Sequence, residues 1–551
     1  MSPEPPQPRG FAVLPPVLVL GGLALVWPVG EGLDRFTLPK EWVLLAGALA
    51  CLPFTRRRPL TALSLFWWLA ALGGVVSAAF AVHRFWGLRQ AALTLGGAAL
   101  FTACLHDEEA SRQRLLAACG AFAALVALVA ALESFGLFPG LSARGRAPGS
   151  LLGQRNHVAH LCALALPLLF LSALRTKRAA RVAWAGAWTA CAVVLVWTRS
   201  RTGWWGALAG FAALNVVLLR ARRWRELGLL ALSAAAVLVV ASLAPVKLAW
   251  RGQHAYWRSL STMADFEQGS GRGRWVQARN SLELWPAAPL VGVGPGNWVV
   301  HYPRVAAADE TFDADAPFPT GRLMTNDVVS ALVERGVWPL VAAGVVLFLA
   351  RRRRFTAVEH HDAFAPTVAT LAVVALGDSV LQLPAPQAWV AIALAAMTTP
   401  RASHGRGGGH LAPQAGSPKA ATPVPPDTTT ALELGSPPSP PADSPHIATG
   451  GPFPSGTPRG GRWRTGGLVV CAAVLAGALV FATGRLVSLT LRARGPTWVD
   501  AERALRFDPG DTVLRLELAR SLALAGRCAE ATPHFARAQE ELPWHRVPEC
   551  Q

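Results

Sequence analysis

The residues with chemical potential in this chain are arginines, amide-acid pairs and histidines at the edges of apolar segments. Arg201 stands in Ser200-Arg201-Thr202-Gly203 and Arg272 in Gly271-Arg272-Gly273-Arg274, both at the mouth of an apolar run. Arginine carries a planar fork of donors matched to phosphate oxygens. Several such groups converging on one cavity, with Arg155, Arg274 and Arg322 in similar intervals, would hold a phosphate or a pyrophosphate. The competing reading is that they are headgroup anchors or solvated loop charges. Asn156-His157 and Asn326-Asp327 each open an apolar segment, where Asn and Asp also serve as helix caps. Glu334 lies inside such a segment, where an ionisable group is costly and therefore a functional or pairing candidate. His301, followed by Tyr302-Pro303, is a candidate proton carrier or a plain surface residue.

Several chemistries lack their sequence signature. There is no HExxH, no Gly-x-Ser-x-Gly and no Cys/His ligand pattern, and Asp313-Ala-Asp315 falls in an acidic run. The expectation is a metal-independent site without a cofactor. Gly292-Val-Gly-Pro-Gly-Asn297 has glycines that would let backbone amides approach a ligand, but no Lys-Ser/Thr follows, and a tight turn is the simpler reading. Of eight cysteines, six lie in apolar runs as packing residues. Cys528 and Cys550 stand in polar sequence, as a disulfide or as two free thiols.

The elements that must position these residues are membrane helices. The chain has 551 residues, of which 52% are apolar and 15% charged, against about 25% charged in soluble domains. Runs of the roughly 20 apolar residues needed to cross a bilayer recur. The first of them lacks a cleavage site and reads as a retained helix. The net charge of +19 would suit nucleic acid, but the arginines cluster between apolar runs, as they do when they set topology, so nucleic acid is not the expected partner.

The fold class expected is an all-α polytopic membrane protein. Residues 1–399 form a multi-span domain of about 12 transmembrane helices, one of them at 328–350, with a large loop at 246–327. A Pro/Gly/Ser-rich linker over 400–465 cannot bury a core. A further span follows at 466–490, then a helical tail at 496–551. The dense Lys/Arg loops, Arg56 to Arg58, His106 to Arg114, Arg175 to Arg181, Arg220 to Arg225 and Arg351 to Arg354, fall on one side by alternation. That puts the N-terminus and linker inside, and the large loop and the tail outside. The tail has the Ala/Leu spacing of a tetratricopeptide helix pair, or is a plain helical hairpin. One unit and a half is short of a stable array, so it is expected to dock on an envelope partner or on the membrane domain.

At these residues the chain resembles the O-antigen ligase and O-antigen polymerase superfamily of bacterial envelopes, over roughly residues 30–400. The resemblance is carried by Leu38-Pro39-Lys40, by GSLLGQRNHVAHLCALALPL, by Ser200-Arg201-Thr202-Gly203, and by Gly271-Arg272 with Trp275 and Pro289-Leu290-Val-Gly292-Val-Gly294. Asn326-Asp327 with Glu334-Arg-Gly336 and Gly377-Asp378-Ser-Val-Leu-Gln-Leu-Pro384 complete it. It implies a glycosyltransferase of the membrane-embedded C type in the inner membrane. The donor would be a glycan on undecaprenyl pyrophosphate. The acceptor would be lipid A-core for a ligase and another lipid-linked glycan for a polymerase. The resemblance puts outer-face arginines on the pyrophosphate, and the candidates here are Arg201 and Arg272, each beside Gly at the mouth of an apolar segment. Asn326, Asp327 and His301 serve the acceptor, and Asn156, His157, Arg155, Arg274, Arg322 and Glu334 line the substrates. The family has His before the outgoing Asn, where this chain has Thr325. Either His301 or His157 takes over, or positioning and charge stabilisation suffice, or the chain is an inactive relative. A transporter of lipid-linked glycan and a non-catalytic assembly protein are the rivals from other classes.

Overall fold

The computed structural model describes residues 13–29, 34–56, 58–106, 108–138, 141–142, 147–248, 255–261, 269–306, 323–352, 358–400, 461–494 and 497–543. Arg322, the Asp313-Ala-Asp315 run, Cys550 and nearly all of the linker lie outside them. Helices α1 (Leu14–Gly22), α2 (Asp34–Thr55), α3 (Ala62–Ala79), α4 (Arg84–Ala103) and α5 (Glu109–Ser134) come first. Then follow α6 (Arg155–Arg175), α7 (Arg178–Thr198), α8 (Arg201–Arg220) and α9 (Trp224–Leu243). The large loop holds α10 (Ala255–Ser261), α11 (Gly269–Leu282) and α12 (Trp298–His301). After it come α13 (Asp327–Arg335), α14 (Trp338–Arg351), α15 (Phe364–Gly377) and α16 (Pro384–Ala396), and finally α17 (Gly461–Arg494), α18 (Trp498–Phe507), α19 (Thr512–Leu524) and α20 (Cys528–Glu541).

Among the described residues seven helices are long and apolar enough to cross a membrane, or eight if α13 and α14 count as one broken span. This is fewer than the 12 or so expected. The apolar runs at α1, α15 and α16 yield helices of only 9, 14 and 13 residues, and α2 and α4 mix apolar residues with Lys40, Glu41 and Arg89. The run at 328–350, expected as one helix, bends by 103° between α13 and α14. Gly336 adopts φ +60 at the break, and Pro339 takes the first turn of α14, where its missing N–H costs nothing. One small departure from an all-α fold is a two-stranded antiparallel ladder, β1 (Val358–His360) against β2 (Thr398–Pro400).

Two packing devices place the loop segments. Helix α8 carries Gly206 and Gly210 one turn apart, and a Cβ on them would stand 2.3 Å from Val374 and 2.2 Å from Thr370 on α15. Small residues at this spacing let membrane helices approach closely. The start of α8 therefore meets the end of α15, where a Cβ on Gly377 would fall 2.7 Å from Thr202. The Gly292–Asn297 turn is clasped by the end of α13: the Val293 and Gly294 amides donate to the Val333 and Glu334 carbonyls at 3.0 Å. Gly292, at φ +72, has no room for a side chain against Glu334. Its glycines serve contact with the protein itself.

The described residues of 466–494 and 497–543 pack on those of the first 400 residues. Glu41, buried on α2, accepts from Arg89 at 2.8 Å and from Arg485 of α17 at 2.9 Å, while Trp27 and Trp42 donate to Thr490 and Thr483 of α17. Beyond α17, apolar residues of α18 to α20 share one core with Trp298, Val300 and Tyr302 of the large loop. Below it, His83 and Thr512 bond at 2.9 Å and Thr512 donates to Glu541 at 2.6 Å. Three short helices thus stand where the helical tail was expected, and they dock on this chain's own loop. Cys528 is disulfide-bonded.

Glu41→Ala leaves Arg89 and Arg485 without their shared buried carboxylate. Breaking a buried pair in this way costs about 3–5 kcal/mol. The variant should melt well below wild type in detergent, and an unchanged melting temperature would show the triad to be dispensable.

Candidate active site

The site residues gather where α6, α8 and α13 begin. Each start has a local cause. Gln154 is the extended residue before α6. Ser200 caps α8 by accepting from the Gly203 amide at 3.4 Å, and Asn326 caps α13 by accepting from the Val328 and Val329 amides at 3.0 Å. Helix N-termini carry unsatisfied N–H groups and the positive end of the macrodipole, so they favour anions.

Asp378, which follows α15, is the point on which they meet. Its Oδ2 lies 3.0 Å from Arg274 Nη2, 3.4 Å from Asn156 Nδ2 and 3.5 Å from His160 Nε2. Its Oδ1 accepts from the Ser379 amide at 2.9 Å. The other amino group of Arg274 donates to the Thr202 hydroxyl. One guanidinium and one carboxylate thus join α6, α8, α11 and the turn after α15. Asp327 fixes that turn from the other side. It accepts from the Val380 and Leu381 amides at 2.8 Å and from Gln382 Nε2 at 3.1 Å. Thr325 donates its hydroxyl at 2.6 Å and its amide at 2.9 Å to Gln277, which lies one turn along α11 from Arg274.

The sequence candidates fall into groups around this arrangement. Asn156, Arg274 and Asp327 are inside it. Arg155 and Arg201 are half-buried in the first turns of α6 and α8. Asn326 does the work of a cap. His157 is half-buried with Nδ1 at 3.5 Å from the Leu152 carbonyl. Arg272 is exposed, two positions and so about 200° around α11 from Arg274. Glu334 is buried and accepts from the Trp298 amide at 3.3 Å, which ties it to the loop turn. His301 is buried in α12, and its ring nitrogens have no hydrogen-bond partner among the described residues. Burial, helped by the charge of Arg304, pushes its pKa down to about 4.

Sequence reasoning passed over His160, Thr202, Gln277, Gln382 and the central role of Asp378. Two signals were present. Asp378 is an acid at the end of an apolar run, and His160 stands one turn after Asn156 in another. Both fit the rule that ionisable groups in such segments pair or function.

A family model described as O-antigen ligase matches residues 185–344. The matched segment holds Arg201, Thr202, Arg274, Thr325 and Asp327, while Asn156, His160 and Asp378 lie outside it. No curated protein matches the chain.

The depressed pKa of His301 has a defined pH consequence. The unfolded state, with an ordinary value near 6.5, binds the proton more readily than the folded state. Stability from this residue is therefore complete above about pH 6.5 and is lost as pH falls towards 4. His301→Gln should flatten the fall in melting temperature over that window, and a fall equal to that of wild type would count against it.

Proposed function

We propose that this chain, whose residues 185–344 belong to the O-antigen ligase and polymerase superfamily, transfers a glycan from undecaprenyl pyrophosphate to an acceptor at the outer face of a bacterial inner membrane. The observation that carries the reading is the convergence of three helix N-termini and Arg274 on one mouth. Arg155 and Arg201 stand in two of those first turns. Arg274 pairs with Asp378, and the second carboxylate, Asp327, is already engaged by amides. Such a place favours a polyanion. A departing diphosphate develops negative charge at the oxygen leaving the anomeric carbon, and fixed donors aimed there lower the barrier without rearranging.

In this mechanism Arg201 and Arg274 hold the diphosphate. The acceptor hydroxyl attacks the anomeric carbon from the opposite face, and undecaprenyl pyrophosphate leaves. Neither metal nor nucleotide enters the scheme. Cys528, disulfide-bonded in the tail, suits an oxidising compartment on the same side as the site. The acceptor is lipid A-core if the enzyme is a ligase and a second lipid-linked glycan if it is a polymerase. The tail, seated on the large loop, is also where an envelope partner would dock.

A deletion strain complemented with variants tests the reading. Arg274→Ala and Arg201→Ala should each lower surface-glycan transfer by about 10²–10³ fold, the range for losing one transition-state donor, while the protein still inserts. Wild-type glycan ladders from the double variant would refute it. Loss of all polymer on lipid A-core in the deletion strain indicates a ligase, and a single-repeat product indicates a polymerase.

A further inference from the structure

We infer that Asp378 is the proton acceptor of the transfer step and that Arg274 masks it until a diphosphate binds. The inference rests on the glycosyl-transfer reading above.

The other groups that could take the proton are engaged or buried elsewhere, His157 having its Nδ1 at 3.5 Å from the Leu152 carbonyl. The resemblance expects an imidazole at position 325, but Thr325 stands there and its hydroxyl is committed to Gln277 at 2.6 Å. Among the described residues no bond joins His301 to the cluster, and its ring is buried against the large loop. His160 is fully buried behind Asp378. Asp327 has both oxygens engaged, by two backbone amides and Gln382. Glu334 is buried under Trp298. Asp378 differs from these. Its side chain keeps 11% of its surface open, and the Arg274 side chain that covers it keeps 26%.

Arg274 is also the group placed to exchange partners. It spends one amino group on the Thr202 hydroxyl and the other on Asp378. A diphosphate offers more charge and more acceptor oxygens than one carboxylate, and a guanidinium binds phosphate through two parallel N–H bonds. When the diphosphate draws Arg274 over, Asp378 Oδ2 loses that donor and is left open to an incoming hydroxyl. It keeps the Asn156 amide at 3.4 Å, which holds the carboxylate in place, with the His160 ring beside it at 3.5 Å.

The step then balances. The acceptor oxygen forms its bond to the anomeric carbon, and its proton passes to Asp378 Oδ2. The bond from the anomeric carbon to the diphosphate oxygen breaks, and the electron pair leaves with the diphosphate, whose new charge Arg274 holds. One negative charge vanishes at Asp378 as one appears on the leaving group. The base is uncovered only when a donor is bound, so an acceptor alone is not activated. His160 acts through Asp378 and is a positioning residue.

The experiment uses the full-length protein with undecaprenyl pyrophosphate as the binding probe in nanodiscs, and the surface-glycan ladder of a complemented deletion strain as the transfer readout. Asp378→Asn should bind the probe at least as tightly as wild type, because Arg274 is released, yet lose transfer by about 10²–10⁴ fold, the range for general base catalysis. Arg274→Ala should lose probe binding. Asp378→Glu, which keeps the carboxylate, should bind the probe normally and recover part of the transfer. It decides on the same two readouts if the asparagine variant fails to fold. His160→Gln should lower transfer with probe binding intact. Transfer within tenfold of wild type in Asp378→Asn would overturn the inference. So would loss of probe binding in parallel with Arg274→Ala, since Asp378 would then be only a clamp for the arginine. For Asp378→Glu, loss of probe binding overturns it in the same way. If wild-type protein fails to bind the probe, the glycosyl-transfer reading itself falls, and the inference with it.

Discussion

A carboxylate at the edge of an apolar domain must find donors, and Asp378 finds them on separate elements of the chain. Arg274 comes from the large loop, Asn156 from α6 and the Ser379 amide from its own turn, while the His160 ring stands 3.5 Å away. Because Arg274 also reaches Thr202, the same pair ties the start of α8 to the loop. The pair is one charged attachment of the loop helix α11 to the bundle. The close packing of α8 on α15 at Gly206 and Gly210 is what brings the partners within reach.

A second buried carboxylate does for the later part of the chain what Asp378 does for the site. Glu41 bridges Arg89 and Arg485 and so binds α17 to α2 and α4, although more than four hundred residues separate it from Arg485. The tail then lies over the large loop and shares its apolar core. Through His83 and Thr512 it also touches the turn before α4, whose backbone Asn297 grips with its side-chain amide at 2.7 and 3.1 Å. The tail and the Gly292–Asn297 turn are in this way parts of one packed unit.

Some of the site was legible because local chemistry announces itself. Asn326 has a residue type that caps helices, and it caps one. Arg274 was among the candidates as one of several arginines in the intervals between apolar runs, whose fork of donors suits phosphate. Arg272 and Arg274 are only two residues apart, and the choice between them depends on helix phase and on what lies opposite, neither of which the loop's sequence states. Asp378 was visible as part of a motif but not as a hub, since its side-chain partners Arg274 and Asn156 are separated from it by 104 and 222 positions. Glu334 looked like a substrate ligand because an acid in an apolar run is conspicuous. In the structure its carboxylate caps the short helix at Trp298.

What the sequence determined by itself follows from short-range physics: apolar runs must be helical where no water can satisfy the backbone, a Pro/Gly/Ser-rich stretch cannot bury a core, and charges collect at helix mouths. Only the tertiary structure decided which mouths meet. It bent 328–350 into two helices at Gly336, laid the tail on the loop, turned Arg274 inward and Arg272 outward, and set His160 behind Asp378. Those outcomes come from close packing and from ion pairs between residues far apart in the chain, and no local pattern records which distant partner a buried charge will take.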